Sequence, residues 1–134
     1  MVAAHQELTW EWWTHSRLRF DLYISELVLR EASMGDAEAA ERRLEQLAGI
    51  PSLSIHDEVV SLAKSFMDRR IVPTRAAEDA LHVAIAVSHG MDFLLTWNCR
   101  HIAHAETIRR LDDVCMELGL QLPVLCTPEQ LVGD

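Results

Sequence analysis

Apolar positions along this chain fall into two patterns, a helical rhythm of about 3.6 residues and short unbroken runs. The clearest helical stripe is Val59, Leu62, Ala63, Phe66 and Met67, which predicts a helix over 57–69. A second stripe, Ala37, Ala40, Leu44, Leu47 and Ala48, predicts one over 36–48. Ile108, Leu111, Cys115 and Leu118 predict a helix over 105–118 closed by Gly119, and Leu8, Trp12 and His15 share one side of a helix over 2–17. Ser25 is a capping residue for a helix through Leu27, Val28 and Ala32 that breaks near Gly35. After Pro73 and Thr74 a nearly uncharged helix runs to about His89, where Gly90 supplies the left-handed residue that a helix end favours. The short apolar run Asp21–Ser25 reads as a buried strand; Phe93–Thr96 and Val124–Cys126 read as strands and Leu53–Ile55 as a candidate strand. Thr127-Pro128-Glu129-Gln130 is a capping box that starts a last short helix. Strands alternating with helices predict an α/β fold around a mostly parallel sheet.

With 134 residues and no internal repeat or linker, the chain is expected to be a single domain over 1–134. No apolar run approaches the roughly 18 residues that would cross a bilayer, so no membrane role is expected. Three cysteines, Cys99, Cys115 and Cys126, lack framework spacing and fit a reducing cytoplasm. The formal net charge of −9 argues against broad non-specific binding of nucleic acid. It leaves room for a metal-dependent enzyme acting on nucleic acid, which concentrates carboxylates to hold cations. Lys64 is the single lysine and every other cation is an arginine, which suits bidentate phosphate contacts or reflects genome composition.

Candidate chemistry concentrates between Ala76 and His104. Asp79 stands near the start of its apolar helix, where the dipole stabilises a carboxylate; the bland alternative is an acid paired with His82 or Arg75. Glu31 lies more than a turn inside the helix after the first strand, and a lone helical Glu is ordinarily solvated. Glu26, nearer the cap, needs no functional explanation. Thr96, Trp97, Asn98, Arg100 and His101 follow a strand end, the place where open α/β sheets bind ligands. There Asn98 could cap, satisfy loop backbone or ligate a metal, Thr96 could hydrogen-bond neighbouring carboxylates, and Arg100 could meet a phosphate or an acid. Trp97 suits packing better than base stacking. Cys99, His101 and His104 invite a zinc reading, but C-x-H-x-x-H is not a usual structural zinc spacing and no Cys-x-x-Cys supports it. Trp10, Trp12 and Trp13 read as a packing face or a dimer contact. No Gly-rich phosphate loop, nucleophile elbow or dinucleotide fingerprint is present.

The run DALHVA at Asp79–Ala84, followed by HGMDFLLTWNCRHI at His89–Ile102, resembles the PIN-domain family, close to the VapC-type toxins. So do ISELVLREA at Ile24–Ala32 and PVLCTPEQL at Pro123–Leu131. The resemblance extends from about Val2 to the end. It implies a three-layer α/β/α sandwich around a parallel sheet, and a Mg²⁺- or Mn²⁺-dependent endoribonuclease. Partners implied are RNA, an antitoxin protein of a toxin–antitoxin pair and a second copy in a homodimer. By motif, Glu31 and Asp79 would match family metal-binding acids. Asn98 stands where many members carry Asp and Thr96 matches a nearby hydroxyl, with Arg100 as the candidate phosphate contact.

Two features depart from the family pattern. Asn98 is neutral, so metal affinity would rest on fewer charges. The family also opens on a central strand ending in an acid, and nothing of that kind precedes Trp10. An N-terminally truncated sandwich is therefore expected, from a start that lies upstream or from a shortened, catalytically degenerate member that acts as a binding module. Loss of a central strand would leave backbone groups unpaired.

Overall fold

The structure, a computed structural model, describes residues 19–95 and 104–126. The chain runs β1 (Ile24–Ser25), α1 (Glu26–Ala32), α2 (Ala37–Leu47), β2 (Ser52–Leu53), α3 (Asp57–Asp68), a 3₁₀ turn at Thr74–Ala76, α4 (Ala77–Ser88), β3 (Phe93–Leu95), α5 (Ala105–Glu117) and β4 (Val124–Cys126). It is a mixed α/β arrangement, mostly helical, with short parallel strands.

Local chemistry explains the boundaries. Ser25 Oγ accepts the Val28 amide at 3.1 Å, and Asp36 Oδ2 accepts that of Ala39 at 3.0 Å. Each relieves one of the amides that a helix start leaves without an internal partner. After α4, Gly90 takes a φ of 69°, while the Met91 amide reaches back to the Ala86 carbonyl at 2.9 Å. That left-handed step turns the chain directly into β3, and a side chain there would strain it.

The core is helical. Val59, Leu62, Ala63 and Phe66 of α3 interlock with Ala80, Val83, Ala84 and Val87 of α4, and α5 adds Leu111, Val114 and Cys115. The α3 stripe is buried as its spacing predicts, with Met67 half-buried. Helix α4 has a broader buried surface, including the consecutive run Val83–Val87. Small alanines at 80, 84 and 86 let it sit against neighbours on several sides.

The strands fall into two separate ladders. β1 pairs with β2 in parallel, Ile24 opposite Ser52 and Ser25 opposite Leu53. β3 pairs with β4 in parallel, Phe93 opposite Val124 and Leu95 opposite Cys126. No ladder joins β1 to β3 among the described residues.

Several expectations need correction. The strand expected at 21–25 is regular only over Ile24–Ser25, and that at 53–55 only over Ser52–Leu53. The apolar face expected on α2 is mostly not interior: of its members only Ala40 is buried, and Leu44 is 37% exposed. Helix α2 touches mainly α1, a single short neighbour that cannot cover a wide stripe. Leu118, expected inward, is 50% exposed because it falls past the end of α5, where the chain turns through Gly119 at φ 73°. Val114, absent from the expected stripe, is buried in its place. The helix expected over 2–17, the tryptophans at 10, 12 and 13, and the capping box at 127–130 lie outside the described residues.

Candidate functional site

β1 ends at Ser25, which pairs with Leu53 while its side chain caps α1, and that abrupt strand-to-helix step places Glu31 near the end of the helix that follows the strand. Helix α4 carries Asp79 in its first turn and His82 one turn later. Glu31, Asp79 and His82 line one cleft of about 710 Å³, together with Ser25 and Val28, Ile85 of α4 and the β3 segment Phe93–Leu95. Two acids from segments 48 positions apart in the chain, 79 − 31, thus open into the same space.

Their surroundings differ. Oε1 of Glu31 lies 2.9 Å from Nε2 of His82, an ion pair when the imidazole is protonated and a neutral hydrogen bond otherwise. The Glu31 side chain is 43% exposed and that of His82 23%, so the contact sits at the cleft mouth rather than in the core. Asp79 is half-buried, and its carboxylate makes no hydrogen bond or ion pair with another described residue. Its helix-start position supplies the local stabilisation, since the first-turn amides carry partial positive charge. The bland alternative of Asp79 paired with His82 or Arg75 is not found among the described residues; His82 pairs with Glu31 instead.

Two more acids were not singled out from the sequence. Asp21 and Asp92 also line the cleft, each just ahead of a strand. Their signal was present, an acid immediately before an apolar run, but only the packing of the two ladders brings them into one space. Glu26 has a different job: its Oε2 accepts the Ile55 amide at 3.3 Å, tying the start of α1 to the chain just after β2. A structural role for this first-turn acid agrees with its position near the cap.

Carboxylate oxygens are the donors that Mg²⁺ and Mn²⁺ take, so Glu31 and Asp79 fit such an ion in kind. They fall short in number. Among the described residues no group of three or more His, Cys, Asp or Glu is placed to hold a metal, and His82 already engages one oxygen of Glu31. Asn98, Thr96 and Arg100 lie outside the described residues, as do Cys99 and His101 of the zinc reading. His104 is exposed at the start of α5, where its side chain caps no amide.

The two described cysteines are structural. Both are buried and free. Burial, with a smaller contribution from the Asp112 carboxylate, pushes the Cys115 thiol up to about 11, and burial also raises that of Cys126. Neither presents a thiolate near neutral pH.

No helix of the described residues is long and apolar enough to cross a membrane. No family model matches the chain, and no curated protein or solved structure matches it.

Proposed function

We propose that this chain is a PIN-like metal-dependent endoribonuclease, built as an α/β/α sandwich, which hydrolyses RNA phosphodiester bonds at the cleft holding Glu31 and Asp79. One observation carries the reading: two acids that the motifs single out independently line the same cleft. A Mg²⁺ or Mn²⁺ ion bound there would supply an activated water and neutralise charge on the scissile phosphate. Asp79, half-buried and without a competing cation among the described residues, is the anchoring carboxylate. Glu31 is the second, and His82 sets the direction of its carboxylate through the 2.9 Å contact. Asn98 would complete the donor set, while Thr96 and Arg100 would contact substrate. Assignment to a toxin–antitoxin pair, a homodimer and the cytoplasm belongs to the same proposal and rests on the sequence resemblance.

The test is RNA cleavage in the presence of Mn²⁺ by the wild-type chain, Asp79→Asn and Glu31→Gln. Cleavage by the wild type, lost in both variants by about 100-fold or more, is the expected result. Undiminished cleavage by Asp79→Asn contradicts the mechanism.

A second reading is a catalytically degenerate module that binds a partner. The incomplete donor set and the engagement of Glu31 by His82 favour it. Calorimetry separates the two: no heat of Mn²⁺ binding at millimolar metal supports the module, and binding abolished by Asp79→Ala supports the enzyme.

A further inference from the structure

The start of α3 meets the end of α4 at two histidines. His56 is the residue before α3 and His89 the residue after α4. Their ring centroids lie 5.2 Å apart, with the ring planes tilted by 58°. Neither residue lines the cleft. Nε2 of His89 lies 2.9 Å from the Ser54 carbonyl oxygen. A carbonyl can only accept, so Nε2 carries the proton and, in the neutral ring, Nδ1 keeps its lone pair. His56 occupies a helix-start position that favours Ser, Thr, Asp or Asn, yet its side chain caps no amide of α3. Its exposed ring makes no hydrogen bond with another described residue. Helix capping therefore does not account for it.

Cation chemistry does. Imidazole nitrogen is a donor that Zn²⁺ and its borderline neighbours take readily. A histidine that ligates a metal ordinarily donates its other ring N–H to a carbonyl or carboxylate, which fixes the ring and its tautomer. His89 is already held in that state by Ser54. The spacing agrees. With a Zn–N distance of about 2.05 Å and a ring nitrogen about 1.2 Å from its centroid, two imidazoles at a tetrahedral angle on one ion have centroids about 5.2 Å apart. A right angle at the ion would bring them to about 4.5 Å on the same distances. The local field also suits a cation. The end of α4 carries partial negative charge at His89, and Asp57 and Glu58 in the first turn of α3 offset the opposite field beside His56. Among the described residues no third His, Cys, Asp or Glu joins the pair.

We propose that His56 and His89 form a site for a tetrahedral borderline cation of the Zn²⁺ class, with water in the remaining positions. Nδ1 of His89 is one ligand and a ring nitrogen of His56 is the other. Two protein ligands, where structural zinc has four, make the ion exchangeable. It ties the connection between β2 and α3 to the connection between α4 and β3. These connections follow Leu53 and contain Gly90, Met91 and Asp92, all of which line the cleft. An ion bound only by the folded chain stabilises that junction by mass action. The site uses nitrogen donors and does not depend on the nuclease reading, whose ion is held by carboxylates.

The test is calorimetric titration of the full chain with Zn²⁺ at pH 7.5, beside His56→Gln, His89→Gln and the cleft variant Asp79→Asn. Gln at position 89 keeps an N–H for the Ser54 carbonyl, His56 is exposed, and circular dichroism reports the folding of each variant. The affinity is expected to fall about tenfold or more in each histidine variant and to stay unchanged in Asp79→Asn. Zn²⁺ is also expected to raise the Tm of the wild type and not that of His56→Gln. Absence of Zn²⁺ binding at millimolar concentration overturns the proposal, as does binding undiminished in His56→Gln. It is equally overturned if binding is lost in Asp79→Asn or in Cys99→Ser, because the ion then sits among the cleft acids or on the cysteine-containing segment.

Discussion

The pair of helices α3 and α4 and the pair of strands β1 and β3 are built from similar apolar residues, yet they finish very differently. The helices bury Val59, Phe66, Ala80, Val83 and Ala84 essentially completely, and each closes its own backbone bonds internally. The strands are two and three residues long, leave Phe93 43% exposed, and among the described residues each pairs along one edge only. A helix needs a neighbour only for its side chains, whereas a strand also needs one for its backbone. Packing is therefore concentrated on the helical side, and among the described residues the strand side carries the less completed pairing. Charged groups follow the same division: the acids at the cleft stand where packing is incomplete and water can reach them.

The strongest way to break this comparison is to truncate on the packed side. Phe66→Ala is expected to cost about 3–5 kcal/mol in denaturant unfolding, since the removed ring leaves a cavity that close-packed neighbours refill poorly. On the cleft side, Leu94→Ala is expected to cost clearly less, roughly 1–2 kcal/mol, because Leu94 is only half-buried and contributes part of its area. Equal costs would contradict the division. Ser25→Ala removes the accepting oxygen from the Val28 amide and is expected to cost about 1 kcal/mol.

Smaller effects sharpen the picture. Arg69 Nη1 meets Glu117 Oε2 at 2.6 Å, linking the end of α3 to the end of α5, but both side chains are well exposed. A double-mutant cycle is expected to give less than about 1 kcal/mol for this pair, and less again in high salt. The raised thiols set a pH dependence with a definite sign. Above the usual thiol value of 9.0 the unfolded chain ionises Cys115 while the folded chain holds its proton until about 11. Stability from this group is thus full below pH 9 and declines as pH rises through that interval. Alkylation of Cys115 and Cys126 by iodoacetamide at pH 7.5, read by mass spectrometry, is expected to be much slower in the native chain than in denaturant.

Much of the fold was legible because periodicity reports which residues need covering. The α3 stripe, the cap at Ser25 and the turn at Gly90 were each written in a few local residues. The α2 stripe misled because a pattern states that a face is apolar, not that a neighbour large enough to cover it exists. The site was half legible. Motif position pointed to Glu31 and Asp79, but the His82–Glu31 contact spans 51 positions and the contributions of Asp21 and Asp92 arise only when the ladders are placed beside one cleft. Such contacts depend on tertiary packing and have no local signature.

The account turns on Glu31 and Asp79 acting together on one cation. The most direct measurement is paramagnetic broadening of the amide spectrum during Mn²⁺ titration. The expected result is broadening centred on residues that line the cleft, Ser25, Val28, Asp79 and His82 among them, and its loss in Asp79→Asn. Broadening that instead follows exposed acids such as Asp57 and Glu58, or that persists unchanged in the variant, would contradict the shared site.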